Sequence, residues 1–312
     1  MKIMKEMSRE YKGKPYFKYK INIPEGAIER AKLQQGQDLE INAEIGKIIL
    51  SKKGADKREF SGARSRLYKE ALKEFPKARE QDIEIMKKYL NPKGGERILE
   101  IGAGSGFFSK YIADLIGERG RLIASDPSLE QLEEIAKLRR KNIDVIRHIQ
   151  FGSKDVNLKK DKVDAVWSFG AMHHSQNKQG YMEMIKKILK ENGRVVICDV
   201  FTGSKLAKHF DDRVAKYCVT GHEVAFWTRE FAETICFLNG FEKPKFYDLN
   251  IKWKFKEKQD IGRFLYKLHA MTKTSEKEVL KGAEKILGIR KNKKSGLYEL
   301  NWPMTLFITR KT

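Results

Sequence analysis

From residue 96 onward, apolar strand-like runs alternate with amphipathic helical segments. The strand-like runs are Ile98–Ile101, Arg121–Ser125, Val163–Phe169 and Val195–Val200, with helical periodicity between them over Phe107–Leu115 and Leu129–Leu138. Parallel strands need long crossovers, so this alternation predicts a parallel sheet wrapped by helices. Residues 245–256 and 303–310 read as two further strands, separated by helices over 258–270 and 275–287.

The first strand runs into Glu100-Ile101-Gly102-Ala103-Gly104-Ser105-Gly106, which opens a helix. Glycine removes the Cβ that would hold a ligand away from a tight turn. A dinucleotide fingerprint would place its third glycine at 107, where Phe107 stands, so the pattern is ExGxGxG. Asp126 ends the second strand, where a carboxylate can accept the two ribose hydroxyls of an adenosine. As a purely structural alternative it caps the next helix, with Pro127 at the first helical position. Ser168-Phe169-Gly170-Ala171-Met172-His173-His174 closes the fourth strand. Open α/β sheets bind ligands beyond the carboxyl ends of their strands, so His173 and His174 are candidate proton acceptors from a hydroxyl or amine. His222, in Thr220-Gly221-His222-Glu223 after the fifth strand, is a third candidate. For all three, capping or packing is the structural alternative.

The segments ILEIGAGSGFF, IASDPS, VDAVWSFGAMHH and IKKILKENGRVVICDV resemble successive motifs of class I S-adenosylmethionine-dependent methyltransferases, nearest to the UbiE-like (methyltransferase type 11) small-molecule group. The resemblance covers roughly residues 60–312. It implies an α/β, Rossmann-like seven-stranded sheet with helices on both faces and S-adenosyl-L-methionine as cofactor. The methyl acceptor would be a small-molecule O, N or C nucleophile. By resemblance, Gly102, Gly104 and Gly106, with Ala103, line the methionine moiety, and Glu100 lies behind the loop toward the amino-acid end. Asp126, beside Pro127, holds the ribose; Ser168 and Phe169 border the cofactor. The family often carries Gly-Asp after the third strand to meet the adenine amino group. This chain has Gly152-Ser153, which leaves Ser153 with a hydroxyl or its backbone for that task. The Asn-Pro-Pro-Tyr segment usual in enzymes that methylate adenine or glutamine amino groups is replaced here by FGAMHH. Cys198, the thiol a cytosine-C5 mechanism would need, stands in an apolar strand and reads as core.

Residues 55–95 read as a linker and a helical cap, with Pro76 between two helices; 257–301 reads as a helical lid over the site. Residues 1–54 form a separate β-rich unit: a strand through Tyr19, Ile21 and Ile23, a short helix, and strands at 39–42 and 47–50. INIPEGAIERAKLQQGQDLEINAEIGKIIL resembles AbrB/SpoVT-type swapped-hairpin domains, which implies a homodimer through this unit and, in some members, DNA binding.

The net charge of +22 admits nucleic acid as a partner, but 46 lysines stand against 18 arginines, interleaved with acids. Residues 244–312 hold 14 lysines and 3 arginines against 7 acids, a net of +10. A tRNA-modifying enzyme is therefore the alternative reading. A third is a DNA-binding regulator whose methyltransferase domain senses the nucleoside cofactor. Three dispersed cysteines without a CxxC pair predict neither a disulfide framework nor a structural zinc, and no metal is expected. With no apolar leader and no run long enough to span a bilayer, the chain is expected to be cytoplasmic, with no membrane partner.

Overall fold

A glycine-rich turn after a buried strand can serve a ligand only if the sheet opens beside it, and the strand order provides that opening. The computed structural model describes residues 3–11, 14–30, 33–36, 39–44, 47–52, 60–147, 163–222 and 224–311. Two units divide the chain, Met1–Lys57 and Arg58–Thr312.

In the first unit, β1 (Ile3–Tyr11) and β2 (Lys14–Ile21) form an antiparallel hairpin, α1 spans Glu25–Arg30, and β3 (Leu39–Glu44) pairs antiparallel with β4 (Lys47–Lys52). β1 was not anticipated, because Met7, Ser8 and Arg9 break its alternation. β2 ends at Ile21 rather than reaching Ile23, three residues ahead of Pro24.

The second unit begins with α2 (Gly62–Glu74) and α3 (Glu80–Tyr89). Then follow β5 (Arg97–Ile101), α4 (Ser109–Ile116), β6 (Arg121–Asp126), α5 (Leu129–Ala136) and β7 (Ile143–Arg147). β8 (Val163–Phe169), α6 (Lys178–Ile188) and β9 (Leu189–Asp199) come next. α7 (Lys205–His209) continues through a π-helical turn (Phe210–Val214) into α8 (Ala215–Tyr217), and α9 spans Arg229–Leu238. The chain closes with β10 (Lys245–Phe255), α10 (Lys258–Leu268), α11 (Glu276–Ile286), β11 (Ile289–Lys291) and β12 (Tyr298–Arg310).

The sheet order is β10-β12-β9-β8-β5-β6-β7, with the short β11 on β12 as an eighth strand. β5 to β9 run parallel to one another, and β12 runs antiparallel to both β9 and β10. The seven-stranded expectation therefore holds, with one short addition. From β5 the chain builds outward through β6 and β7, then returns to lay β8 on β5's other side. That reversal opens a crevice at the carboxyl ends of β5 and β8.

Both faces of the sheet are covered, which is why its strands read as continuous apolar runs. Ile98, Leu122, Trp167 and Val196 face one layer with α2, α3, α10 and α11; Leu99, Ile123, Val166 and Ile197 face the other with α6 and α9. No helix among the described residues is long and apolar enough to cross a membrane.

The cap is fastened by polar contacts that sequence pattern does not disclose. The Gly62 amide donates to the Glu130 carboxylate at 2.9 Å, and Ser128 Oγ donates to the Phe60 carbonyl at 2.6 Å. At the other end of the cap, Arg79 Nε donates to Asp82 Oδ2 at 2.6 Å while Trp253 Nε1 donates to Asp82 Oδ1 at 3.1 Å. Asp82 is fully buried and Arg79 nearly so. Removing the carboxylate strands a buried guanidinium, so Asp82→Ala is expected to cost about 3–5 kcal/mol. Urea unfolding followed by tryptophan fluorescence checks this; an unshifted midpoint would show that the pair contributes nothing.

Candidate active site

At the crevice two turns press together. Gly102 sits at φ +73°, and a Cβ there would lie 2.2 Å from the Ala171 side chain. The turn after β5 thus rests directly on the turn after β8, and only glycine fits. Gly102 and Ala103 both donate their amides to the Ser125 carbonyl, at 2.9 and 3.0 Å. Asp126 Oδ2 accepts from the Gly104 amide at 2.9 Å, and its Oδ1 accepts from the Ser128 amide at 2.8 Å. Asp126 does not cap α5: Ser128 does, accepting from Gln131 N at 3.3 Å. Pro127 lies ahead of that cap, not at the first helical position. The sequence alternative for Asp126 is thereby corrected.

Behind the loop Glu100 is 1% exposed and accepts from Ser109 Oγ at 2.6 Å. Burial pushes its carboxyl up to about 8; the Ser109 hydrogen bond works the other way, and the Asp126 charge adds to the rise. A glycine-rich turn, in which only Ala103 and Ser105 carry side chains, thus has a buried carboxyl behind it and a carboxylate at the next strand end.

Beyond Ala171 the chain makes a 3-10 turn, Met172–His174. His173 Nδ1 lies 2.5 Å from Asp199 Oδ1, and the His173 amide donates to Asp199 Oδ2 at 3.0 Å. Asp199, at the end of β9, is fully buried. Burial alone would raise its pKa, yet the His173 ring and the Val200 amide hold the carboxyl below its usual value. The rings of His173 and His174 are 4.1 Å apart, and His174 and His222 5.1 Å apart. Burial, reinforced by His173 and Arg64, drives the His174 pKa well below the ordinary imidazole value. His269 is lowered likewise, by burial and then by His209 and His222; burial takes His209 to about 4.

His173, His174, His222 and His269 border a cleft of about 90 Å³. Phe169, Phe210, Trp253 and Trp302 supply apolar walls, and Phe60, Arg64, Tyr68 and Arg79 come from the cap region. Trp253 and Trp302 stack at 4.0 Å with 18° between planes. Tyr68 joins the cleft to the glycine loop, its hydroxyl 3.6 Å from where a Gly104 Cβ would stand. The connection over 257–301 gives the cleft Leu268 and His269. Its Phe264 and Met271 are buried in the core.

The structure therefore gathers Glu100, Gly102, Ala103, Gly104, Gly106 and Asp126 at one turn, and His173, His174, His222 and Phe169 around one adjoining cleft. Ser168 is fully buried within β8, away from the cleft lining, and its hydroxyl has no partner among the described residues. Ser153 lies outside the described residues. Sequence reasoning missed Asp199, Arg79 and the tryptophan pair. Of these, only Asp199, a lone acid ending an apolar strand, carried a local signal.

Glu100 yields a stability test. Its folded pKa, about 8, exceeds the unfolded value near 4.5, so the folded state holds the proton more tightly. Stability is then fully present below the unfolded pKa and is lost as pH rises toward 8. Glu100→Gln removes that titration, and its melting temperature relative to the native chain is expected to climb between pH 5 and 8 and level off above. A pH-independent difference would show that Glu100 titrates normally.

Comparison with known proteins agrees with this architecture. The profile of a family described as "Methyltransferase domain" matches residues 92–268. The chain is 33% identical over 112 residues to a demethylmenaquinone methyltransferase of Clavibacter sepedonicus, covering 36% of this chain and 44% of that protein. The curated relatives are thus matched over less than half their own length. Among solved structures, YcgJ of Bacillus subtilis superposes with a TM-score of 0.55 at 14% identity, covering 74% of this chain and 98% of YcgJ. Phosphoethanolamine N-methyltransferase 2 of Haemonchus contortus, solved with phosphomonomethylethanolamine and S-adenosylhomocysteine, gives 0.58 at 16% identity, covering 85% of this chain and 62% of that one. With the family profile matching more than half of its length, from the cap's end through the helix that bears Leu268, the chain belongs to the methyltransferase domain family.

Proposed function

We propose that this chain transfers a methyl group from S-adenosylmethionine to a nucleophilic O, N or C atom of a small molecule with an apolar, flat body. The observation that carries this reading is the aromatic cleft lined by Tyr68, whose hydroxyl lies 3.6 Å from where a Gly104 Cβ would stand. S-adenosylmethionine supplies a methyl carbon already activated on a cationic sulfur, so the protein's task is mainly positioning. Gly102, Gly104 and Asp126 would hold the cofactor. Trp253, Trp302 and Phe210 would hold the acceptor's apolar body, and the connection over 257–301 would close the cleft over it. Asp199 fixes the His173 ring with Nδ1 toward itself, so Nε2 presents a lone pair. That lone pair favours the ionised nucleophile.

Label from S-adenosylmethionine is expected in the small-molecule or lipid fraction of a cell extract. Label in RNA would replace this reading with tRNA modification, for which the basic stretch 244–312 would serve as docking surface. Gly104→Val is expected to weaken S-adenosylhomocysteine binding at least tenfold by calorimetry; unchanged affinity would remove the glycine turn from the cofactor site. Asp199→Asn is expected to lower kcat at least tenfold while leaving that affinity intact.

The first unit supports a second proposal, a homodimer through residues 1–54. Isolated two-stranded hairpins are marginal in water, and pairing with a second copy would give them a shared core. Sedimentation of the full chain should report a dimer; a monomer at all concentrations would refute it. Duplex-DNA binding by this unit would favour the regulator reading.

A further inference from the structure

We infer that His173, His174 and His222 form a binding site for one first-row divalent metal ion of the zinc type at the inner end of the cleft. One nitrogen from each imidazole lies within 4.8 Å of the other two. Nitrogens around a tetrahedral ion stand roughly 3.4 Å apart at bond lengths near 2.0–2.1 Å, so side-chain rotations of an ångström or so complete the closure. The ligands come from two turns held at the same crevice: the 3-10 turn after β8, and the segment after α8, whose Ala225 amide donates to the His173 carbonyl at 2.8 Å.

Two features set this cluster apart from packed imidazoles. First, Asp199 already fixes the Nδ1 side of His173 at 2.5 Å and its amide at 3.0 Å, leaving Nε2 to ligate. A carboxylate behind a histidine is the arrangement that orients metal-bound imidazoles and raises their basicity. Second, all three rings line the cleft, so the fourth position of a three-histidine site would face the acceptor rather than protein. His269 borders the same space, is nine-tenths buried, and its Nε2 has no partner among the described residues. It would hydrogen-bond whatever occupies that position. Neutral nitrogen donors favour zinc and its neighbours over magnesium or calcium, which take oxygen.

The metal's task rests on the methyltransferase reading. A hydroxyl that coordinates the ion gives up its proton to water, and the oxygen then stands as the bound anion. This narrows the acceptor from O, N or C to an oxygen nucleophile. The ion and a proton cannot share Nε2 of His173, so the metal takes over the role of base.

The test uses the full chain, freed of metal with a chelator and titrated with Co2+ alone, then Zn2+ alone. One Co2+ per chain is expected, with visible absorption typical of low coordination number, displaced by Zn2+. His174→Gln and His222→Gln, made separately, should each weaken binding at least tenfold, and Asp199→Asn by 10–100-fold. S-adenosylhomocysteine affinity near the native value certifies each variant's fold. No Co2+ spectrum and no Zn2+ binding tighter than about 0.1 mM, or undiminished binding in folded variants, overturns the site. Metal binding without S-adenosylhomocysteine binding would leave the site standing and sink the methyltransferase role; the reverse would sink the site alone.

Discussion

The contact of Gly102 with Ala171 sets the rest of the arrangement. It brings the backbone of the turn after β5 against the turn after β8, at the point where the strand order reverses. On one side of this contact lie a glycine-rich loop and Asp126. On the other lie two consecutive histidines. A side chain at position 102 would force the turns apart, and the distance between the glycine loop and the histidine wall would grow with it.

Around that contact the polar groups are committed in pairs. Glu100 takes Ser109, Asp126 takes two amides, Asp199 takes His173, and Asp82 takes both Arg79 and Trp253. The Asp126–Gly104, Asp199–His173 and Asp82–Trp253 contacts join elements distant in sequence. The site's rigidity therefore comes from buried charge and hydrogen bonding laid over an ordinary two-layer hydrophobic core. The cap is part of this framework, since Arg79 and Tyr68 reach the cleft from α2 and its following turn.

Much of this was legible in the sequence. Strand–helix alternation announced the parallel sheet, ExGxGxG announced the turn, and FGAMHH at a strand end announced the histidines. These signals are local, because each depends on residues adjacent in the chain. What escaped was non-local. Ser128 outcompetes Asp126 as the cap of α5 because Asp126 is drawn to Gly104, 22 positions earlier. Trp253 and Trp302 read as ordinary strand aromatics until the β10–β12 pairing puts them together. His222 was legible as a candidate, but its nearness to His174 depends on how the segment after α8 folds back. β1 was missed because its charged residues hide the strand period.

The β10–β12 pairing carries a consequence for how this fold can vary. Its eleven paired positions run without a bulge from Lys245↔Ile308 to Phe255↔Tyr298. A one-residue slip would turn Trp302 and Met304 to the opposite face and erase the cleft's floor. A change of length in the span between the two strands leaves the alternation intact, whereas a change within either strand does not.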